Sequence, residues 1–273
     1  PEGSPEMAAL TVVRIGRRDY AEMVEAQEQL AGERLSGEVG DLLLLLEHPA
    51  TYTLGRRSDP SDLLHGPDWY RTRGVDICET PRGGKVTFHG PGQLVGYPIV
   101  DLRGVGEQPA GADRVDVAAF VSALERSMAG ALAEWGLAAG SIDGLTGLWV
   151  DDDRGSREDF EGADAASAAP GLARGSIRKI GSIGLKIRRG VSSHGLSLNV
   201  SCDLEPFEWI NSCGIETCRA TSIETELGYR GPSVKAIGDS VAAGLASNLG
   251  LDPVVGDPSG IGLDRRQRVD SVA

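Results

Sequence analysis

Two residues far apart in the chain, Lys179 in RKIGSIGLKI and Cys213 in NSCGI, and one glycine-dense stretch, RGGKVTFHGPGQLVGYP from Arg82 to Pro98, carry most of the chemistry this sequence offers. A cysteine attacks as its thiolate, and an unperturbed thiol with a pKa of roughly 8.5 holds only a few per cent of it at neutral pH. A base or a cation must therefore stand beside any catalytic cysteine. Spacing alone does not pair Lys179 with Cys213, although both adjoin glycine-bearing segments able to line one pocket. Taken singly, Cys213, like Cys78, Cys202 and Cys218, reads as a small buried hydrophobe. His48, His89 and His194 read as histidines satisfied within the fold, and Lys85, Lys186, Arg188 and Arg189 as solvated strand residues.

Glycines at 83, 84, 90, 92 and 96 let the main chain approach a ligand or take positive φ. Between them Lys85-Val86-Thr87-Phe88 alternates like a half-buried strand, and Leu94 to Val100 reads as a second strand after a Gly-Pro-Gly turn. The stretch is expected to be a hairpin presenting a site. A zinc site is not expected: no Cys-x-x-Cys or His-x-x-x-His pair occurs, and Cys213 and Cys218 are wrongly spaced. The glycines match neither the phosphate-loop nor the dinucleotide-binding pattern.

The elements that must position these residues are partly visible. Asp19 to Ser36 carries a helical stripe, Leu42 to Leu46 a fully buried strand, and Val117 to Trp135 an amphipathic core helix ending near Gly136. Gly147 to Val150, Ile180 to Ile187 and Gly195 to Val200 read as strands, and Ser233 to Leu249 as a closing helix. Residues 1–9 read as a flexible tail, 10–250 as one catalytic domain, and 251–273 as an irregular tail. Residues 151–176 read as a disordered acidic insertion, since 151–164 holds seven acids and two arginines with almost nothing apolar. The chain of 273 residues is 40% hydrophobic, and no apolar run approaches a bilayer span. With four cysteines and a basic-poor N-terminus this points to a cytoplasmic protein with reduced thiols. A net charge of −13 argues against nucleic-acid binding.

Three stretches together, EHPATYTLGRRSDPSDLL, RGGKVTFHGPGQLVGYPIVDL, and GLWV followed by RKIGSIGLKIRRGVSSHGLSLNV, closely resemble the lipoyl(octanoyl) transferases, the lipoate-protein ligase B family. The likeness continues through DLEPFEWINSCGI and TSIETELG and covers roughly Leu10 to Leu249. It implies an α/β fold, the biotin/lipoate ligase catalytic domain, with mixed sheets flanked by helices. It implies an acyltransferase that moves octanoyl from octanoyl acyl carrier protein, through a thioester on Cys213, to a lysine of lipoyl domains. The acceptors would be 2-oxoacid dehydrogenase E2 subunits and the glycine cleavage H protein. Lys179 would lower the pKa of Cys213. The acyl pocket would comprise Arg82, Gly83, Gly84, Lys85, Val86, Thr87, Phe88, His89, Ser182, Ile183, Gly184, Gly195, Leu196 and Ser197. No cofactor, metal, membrane or nucleic acid is expected, and a monomer is the default. Ser212 stands where the family commonly has proline. The competing readings are an adenylating ligase, an amidotransferase between lipoyl domains, and a binding module without turnover.

Overall fold

Five consecutive leucines, Leu42 to Leu46, are all buried, and they dictate a sheet covered on both faces. The computed structural model describes residues 8–103, 105, 115–153, 160, 176–211 and 219–263. In chain order its elements are β1 (Ala9–Arg17), α1 (Tyr20–Ser36), β2 (Asp41–Glu47), β3 (Thr51–Leu54), α2 (Pro67–Arg71), β4 (Asp76–Glu79), β5 (Val86–His89), β6 (Gln93–Ile99) and α3 (Val117–Ala133). There follow β7 (Gly140–Ile142), β8 (Leu145–Asp151), β9 (Ile177–Arg188), β10 (Val191–Asn199), β11 (Arg219–Ala220), α4 (Ile223–Leu227), α5 (Val234–Leu249) and β12 (Asp252–Gly256).

Among the described residues nine strands form one mixed sheet in the order β12-β1-β2-β6-β10-β9-β8-β7, with β11 also on β9, and β4-β3-β5 form a second, small sheet. Because strand side chains alternate, Leu43 and Leu45 join Phe120, Leu124, Met128, Val241 and Leu245 of α3 and α5 on one face. Leu42, Leu44 and Leu46 join Met23 and Leu30 of α1 on the other. Asp19 caps α1 by accepting from the Ala21 and Glu22 amides, and Gly37 at φ 81° ends it. Between β9 and β10 the two-residue turn Arg189-Gly190 has φ of 51° and 87°, the left-handed pair that suits the twist of a tight hairpin.

The expected hairpin of Arg82 to Pro98 does not form. Strand β5 pairs antiparallel with β3, whereas β6 pairs with β2 and β10, so the Gly-Pro-Gly turn carries the chain from one sheet into the other. The reason lies at Gly92: its amide donates to the Glu47 carboxylate, its carbonyl accepts from Val200 and Ser201, and a side chain there would press into the Ser201–Cys202 backbone. The residues after Gly250, expected to be irregular, supply β12, parallel to β1. Pro253 and the exposed Val255 disguise it, yet both suit an edge strand held through its backbone. Of the acidic insertion, Phe160 is buried with Ile142, Trp149 and Ile177, a contact its surroundings in the sequence hide; 154–159 and 161–175 lie outside the described residues.

Close backbone approach at Gly195 is testable. A side chain there would run into the Gly96 carbonyl and Pro98, whereas one at Gly130 in α3 meets open space. Gly195→Ala is expected to lose about 1–3 kcal/mol by overpacking, and Gly130→Ala to gain about 0.5–1 kcal/mol, as read by urea unfolding.

Candidate active site

A cavity of about 340 Å³ opens between the glycine segment, β9 and β10. Its walls are apolar at Val86, Leu145, Trp149, Ile183, Leu196 and Phe207, and polar at Tyr20, Arg82, His89, Tyr97, His194 and Asn199. The register of β9 against β10 sets Ser182 opposite Ser197, Ile183 opposite Leu196 and Gly184 opposite Gly195, so two segments read separately from sequence form one surface. The glycine segment is latched to it: the Gly83 amide donates to Leu185 O at 2.8 Å, and a side chain at Gly184 would meet Arg82 and Gly83 at 3.0 Å. Arg82, almost wholly buried, donates to Thr53 O at 2.6 Å, to Thr53 Oγ1 and to Gly83 O. Desolvation lowers its guanidinium pKa from the ordinary value.

Lys179 stands at one end of the cavity, its Nζ 5.1 Å from the centre of the Trp149 ring. Strand β8 pairs with β9 at Lys179 on one edge, and β11 pairs there on the other. The Thr221 amide donates to Lys179 O at 2.9 Å. Cys213 lies outside the described residues, as does Cys218, but the chain on either side is anchored. The Asn211 amide donates to Asp62 O at 2.8 Å, and Ala220, which lines the cavity, pairs with Lys179. Lys85, also on the wall, donates to the buried Asp62 carboxylate at 3.0 Å.

Of the residues assigned to the acyl pocket, Arg82, Gly84, Lys85, Val86, Thr87, His89, Ser182, Ile183, Gly184, Gly195, Leu196 and Ser197 line the cavity. Phe88 packs instead with Tyr52 and Phe207, with ring centroids 5.6 and 5.4 Å away, and Gly83 acts through its latch. Tyr20, Tyr97, Trp149, Asn199 and Gly144–Thr146 at the start of β8 are not legible as wall residues. The signal that was available is a polar side chain at the end of an apolar strand, Asn199 after GLSL and Gln93 before LVGY.

Those two residues fix His89. Gln93 Nε2 donates to Phe88 O and to Asn199 Oδ1, so its Oε1 faces His89 Nδ1 at 2.7 Å. His89 therefore carries its proton on Nδ1, leaving Nε2 as an acceptor. Asn199 Nδ2 donates to Thr221 O, which ties the same chain of bonds to the residue holding Lys179. Burial, with the neighbouring His48 and Arg82, pushes the His89 pKa well below the usual histidine range, keeping the ring neutral. His48 donates from Nδ1 to Arg18 O and accepts from Tyr97 Oη at Nε2, both at 2.7 Å, and burial lowers its pKa to about 4. His194 has φ 56° within β10 and a buried Nδ1 with no hydrogen-bond partner among the described residues. Its pKa is lowered to about 4, chiefly by burial. Left-handed backbone at a residue other than glycine costs of order 1–2 kcal/mol.

The fold is that of the lipoate-protein ligase catalytic domain. A bipartite lipoate protein ligase from Thermoplasma acidophilum superposes with a TM-score of 0.66 at 13% identity, covering 96% of this chain and 99% of that one. A lipoate-protein ligase A bound with ATP gives 0.60 at 12%, over 96% and 97%. At such identities the likeness establishes the fold alone. Residues 19–246 match the lipoyl protein ligase A/B catalytic domain, and the chain belongs to that family. An octanoyltransferase of Chloroflexus aggregans is 39% identical over 249 residues, 91% of this chain and 98% of that protein. One of Solibacter usitatus is 43% identical over 202 residues, 74% and 77%. Among the described residues no helix is long and apolar enough to cross a membrane.

The buried histidines set an acid limit. From about pH 6.5, the ordinary histidine value, down to about 4 the unfolded chain takes up protons that folded His48 and His194 refuse, so stability falls with acid across that window. Urea midpoints between pH 7 and 4.5 should fall for wild type and fall less steeply for His48→Gln; equal slopes would contradict this assignment.

Proposed function

We propose that this chain transfers octanoyl from octanoyl acyl carrier protein to the ε-amine of a lysine on a lipoyl domain, through an acyl thioester on Cys213. The observation that carries the reading is the cavity itself, whose wall includes Lys179, Ser182, Ile183 and Gly184 of β9. At about 3.4 Å per residue, Ser182 lies ~10 Å along the strand from Lys179, the scale of an extended eight-carbon chain. About 340 Å³ also falls in the ~300–1,000 Å³ range of small-ligand pockets. Burying the chain contributes about 5 kcal/mol at ~0.8 kcal/mol per methylene, before the costs of association. The octanoyltransferase relatives, similar over nearly the whole chain, support the same substrate.

In the first half-reaction the Cys213 thiolate, stabilised by the Lys179 ammonium, attacks the carrier thioester. The bond from acyl carbon to carrier sulfur breaks, and Lys179 gives its proton to the departing thiolate. In the second, the acceptor amine attacks the acyl-Cys213 carbonyl, its proton passes to the now neutral Lys179, and the Cys213 thiolate leaves beside the regenerated ammonium. The cycle closes without a net proton and without ATP, because the donor arrives as a thioester. The same reading has the chain acting in the cytoplasm as a monomer, on acidic carrier and lipoyl domains. The exposed Arg56 and Arg57, the latter on the cavity rim, and the exposed Arg188 and Arg189 would face those partners.

Intact-mass spectrometry after mixing with octanoyl acyl carrier protein, without ATP, tests the chemistry. A hydroxylamine-sensitive octanoyl adduct is expected on wild type and absent from Cys213→Ala. Modification of a lipoyl domain only when ATP is supplied would instead assign an adenylating ligase. Charge reversal at Arg56 and Arg57 is expected to raise KM for the carrier protein more than it lowers kcat; an unchanged KM with unchanged salt dependence would remove the docking role.

A further inference from the structure

Helix α3 reads in sequence as a core helix, yet it carries one buried acid that the transfer chemistry above does not use. Glu125 is only 9% exposed, and its Oε1 accepts the Gly147 amide at 3.1 Å. Gly147, on β8, has φ 121°, and a side chain there would come within 2.8 Å of Lys179 Cε and 3.3 Å of its Nζ. One glycine thus separates the carboxylate from the lysine at the end of the cavity. Only glycine allows that layer to be so thin. The Trp149 ring, which favours a cation over its face, borders Lys179 on the same strand β8.

We propose that Glu125 is a positioning residue for the transfer reaction: through Gly147 its carboxylate is the counter-charge that holds the Lys179 ammonium at the cavity end of β9. The inference rests on the reading of Lys179 as partner of the nucleophile. A buried carboxylate is costly unless it is hydrogen-bonded and offset by a nearby opposite charge; this one accepts the Gly147 amide and lies within the electrostatic reach of Lys179. Burial raises its pKa, the Gly147 amide and then Lys179 lower it, Asp143 from the β7–β8 turn raises it, and Arg126 on its own helix lowers it. The ionised form is the working one, so its contribution is lost as pH falls through the raised titration of Glu125.

The test is the pH dependence of acyl-enzyme formation in wild type and Glu125→Gln, which keeps the acceptor for Gly147 but not the charge. Taking the ratio of the two rates cancels the titrations they share. The ratio is expected to be about tenfold at neutral pH, the scale of a modest misplacement of a catalytic group, and to fall toward one as Glu125 protonates in acid. A ratio constant at every pH would reduce Glu125 to a structural residue and overturn the proposal. A second measurement needs no glutamine variant to fold: the ¹³Cδ resonance of Glu125, followed through its titration, should move to higher pH in Lys179→Met than in wild type. An unmoved titration also overturns the proposal. If Cys213→Ala and Lys179→Ala both still acquire octanoyl, the functional reading fails whatever Glu125 does; if both are inert and the ratio is flat, only the Glu125 inference fails.

Discussion

Everything at the site depends on how strand β9 is held at both edges. Along most of its length β10 fixes one edge, pairing Gly184 with Gly195 and Leu198 with Gly181; beyond that point β11 takes over at Arg178 and Lys179. β8 closes the other edge over the same residues. Backbone ladders therefore set the height of Lys179 relative to Ser182–Gly184, and the lysine side chain has only its own torsions left to resolve. Since β11 follows directly on the segment containing Cys213, the pairing that fixes the lysine also fixes where that segment must end.

The polar interior is the second requirement. Gln93, Asn199 and the Thr221 carbonyl form a continuous chain of hydrogen bonds from His89 to the neighbour of Lys179. Such a network costs little when complete and much when one member is missing. Tyr20, His48, His89 and Tyr97 cluster with ring centroids 5.0–5.8 Å apart, and burial keeps both histidines neutral. The inner wall is thereby polar in its hydrogen bonding without charged histidines, a surface against which an apolar chain and a reacting carbonyl can both lie.

Much of this architecture is legible in the amino-acid sequence. Leu42 to Leu46, the stripes of α1 and α3, and the closing helix carry periodicities that only one kind of element satisfies, and the structure has them within a few residues. Pairing is not legible: nothing local in VTFHGPGQLVGYP distinguishes a hairpin from a turn between sheets, because the decision lies with Glu47, Val200 and Ser201. Strand β12 is hidden because an edge strand needs no apolar alternation. Segments such as Ser182–Gly184 and Gly195–Ser197 are visible as motifs, while their mutual register, and the polar wall of Tyr20, Tyr97 and Asn199, emerge only when strands distant in sequence meet. Glu125 is concealed among the apolar positions of a core helix.

The central claim is that the acyl group rests covalently on the enzyme between donor and acceptor. Its most direct test is the initial-rate pattern with both macromolecular substrates varied, octanoyl acyl carrier protein against a lipoyl domain. A covalent acyl-enzyme requires the carrier to leave before the acceptor reacts, so double-reciprocal plots should be parallel. Lines that intersect to the left of the ordinate would mean that donor and acceptor must be bound together, and would contradict the account.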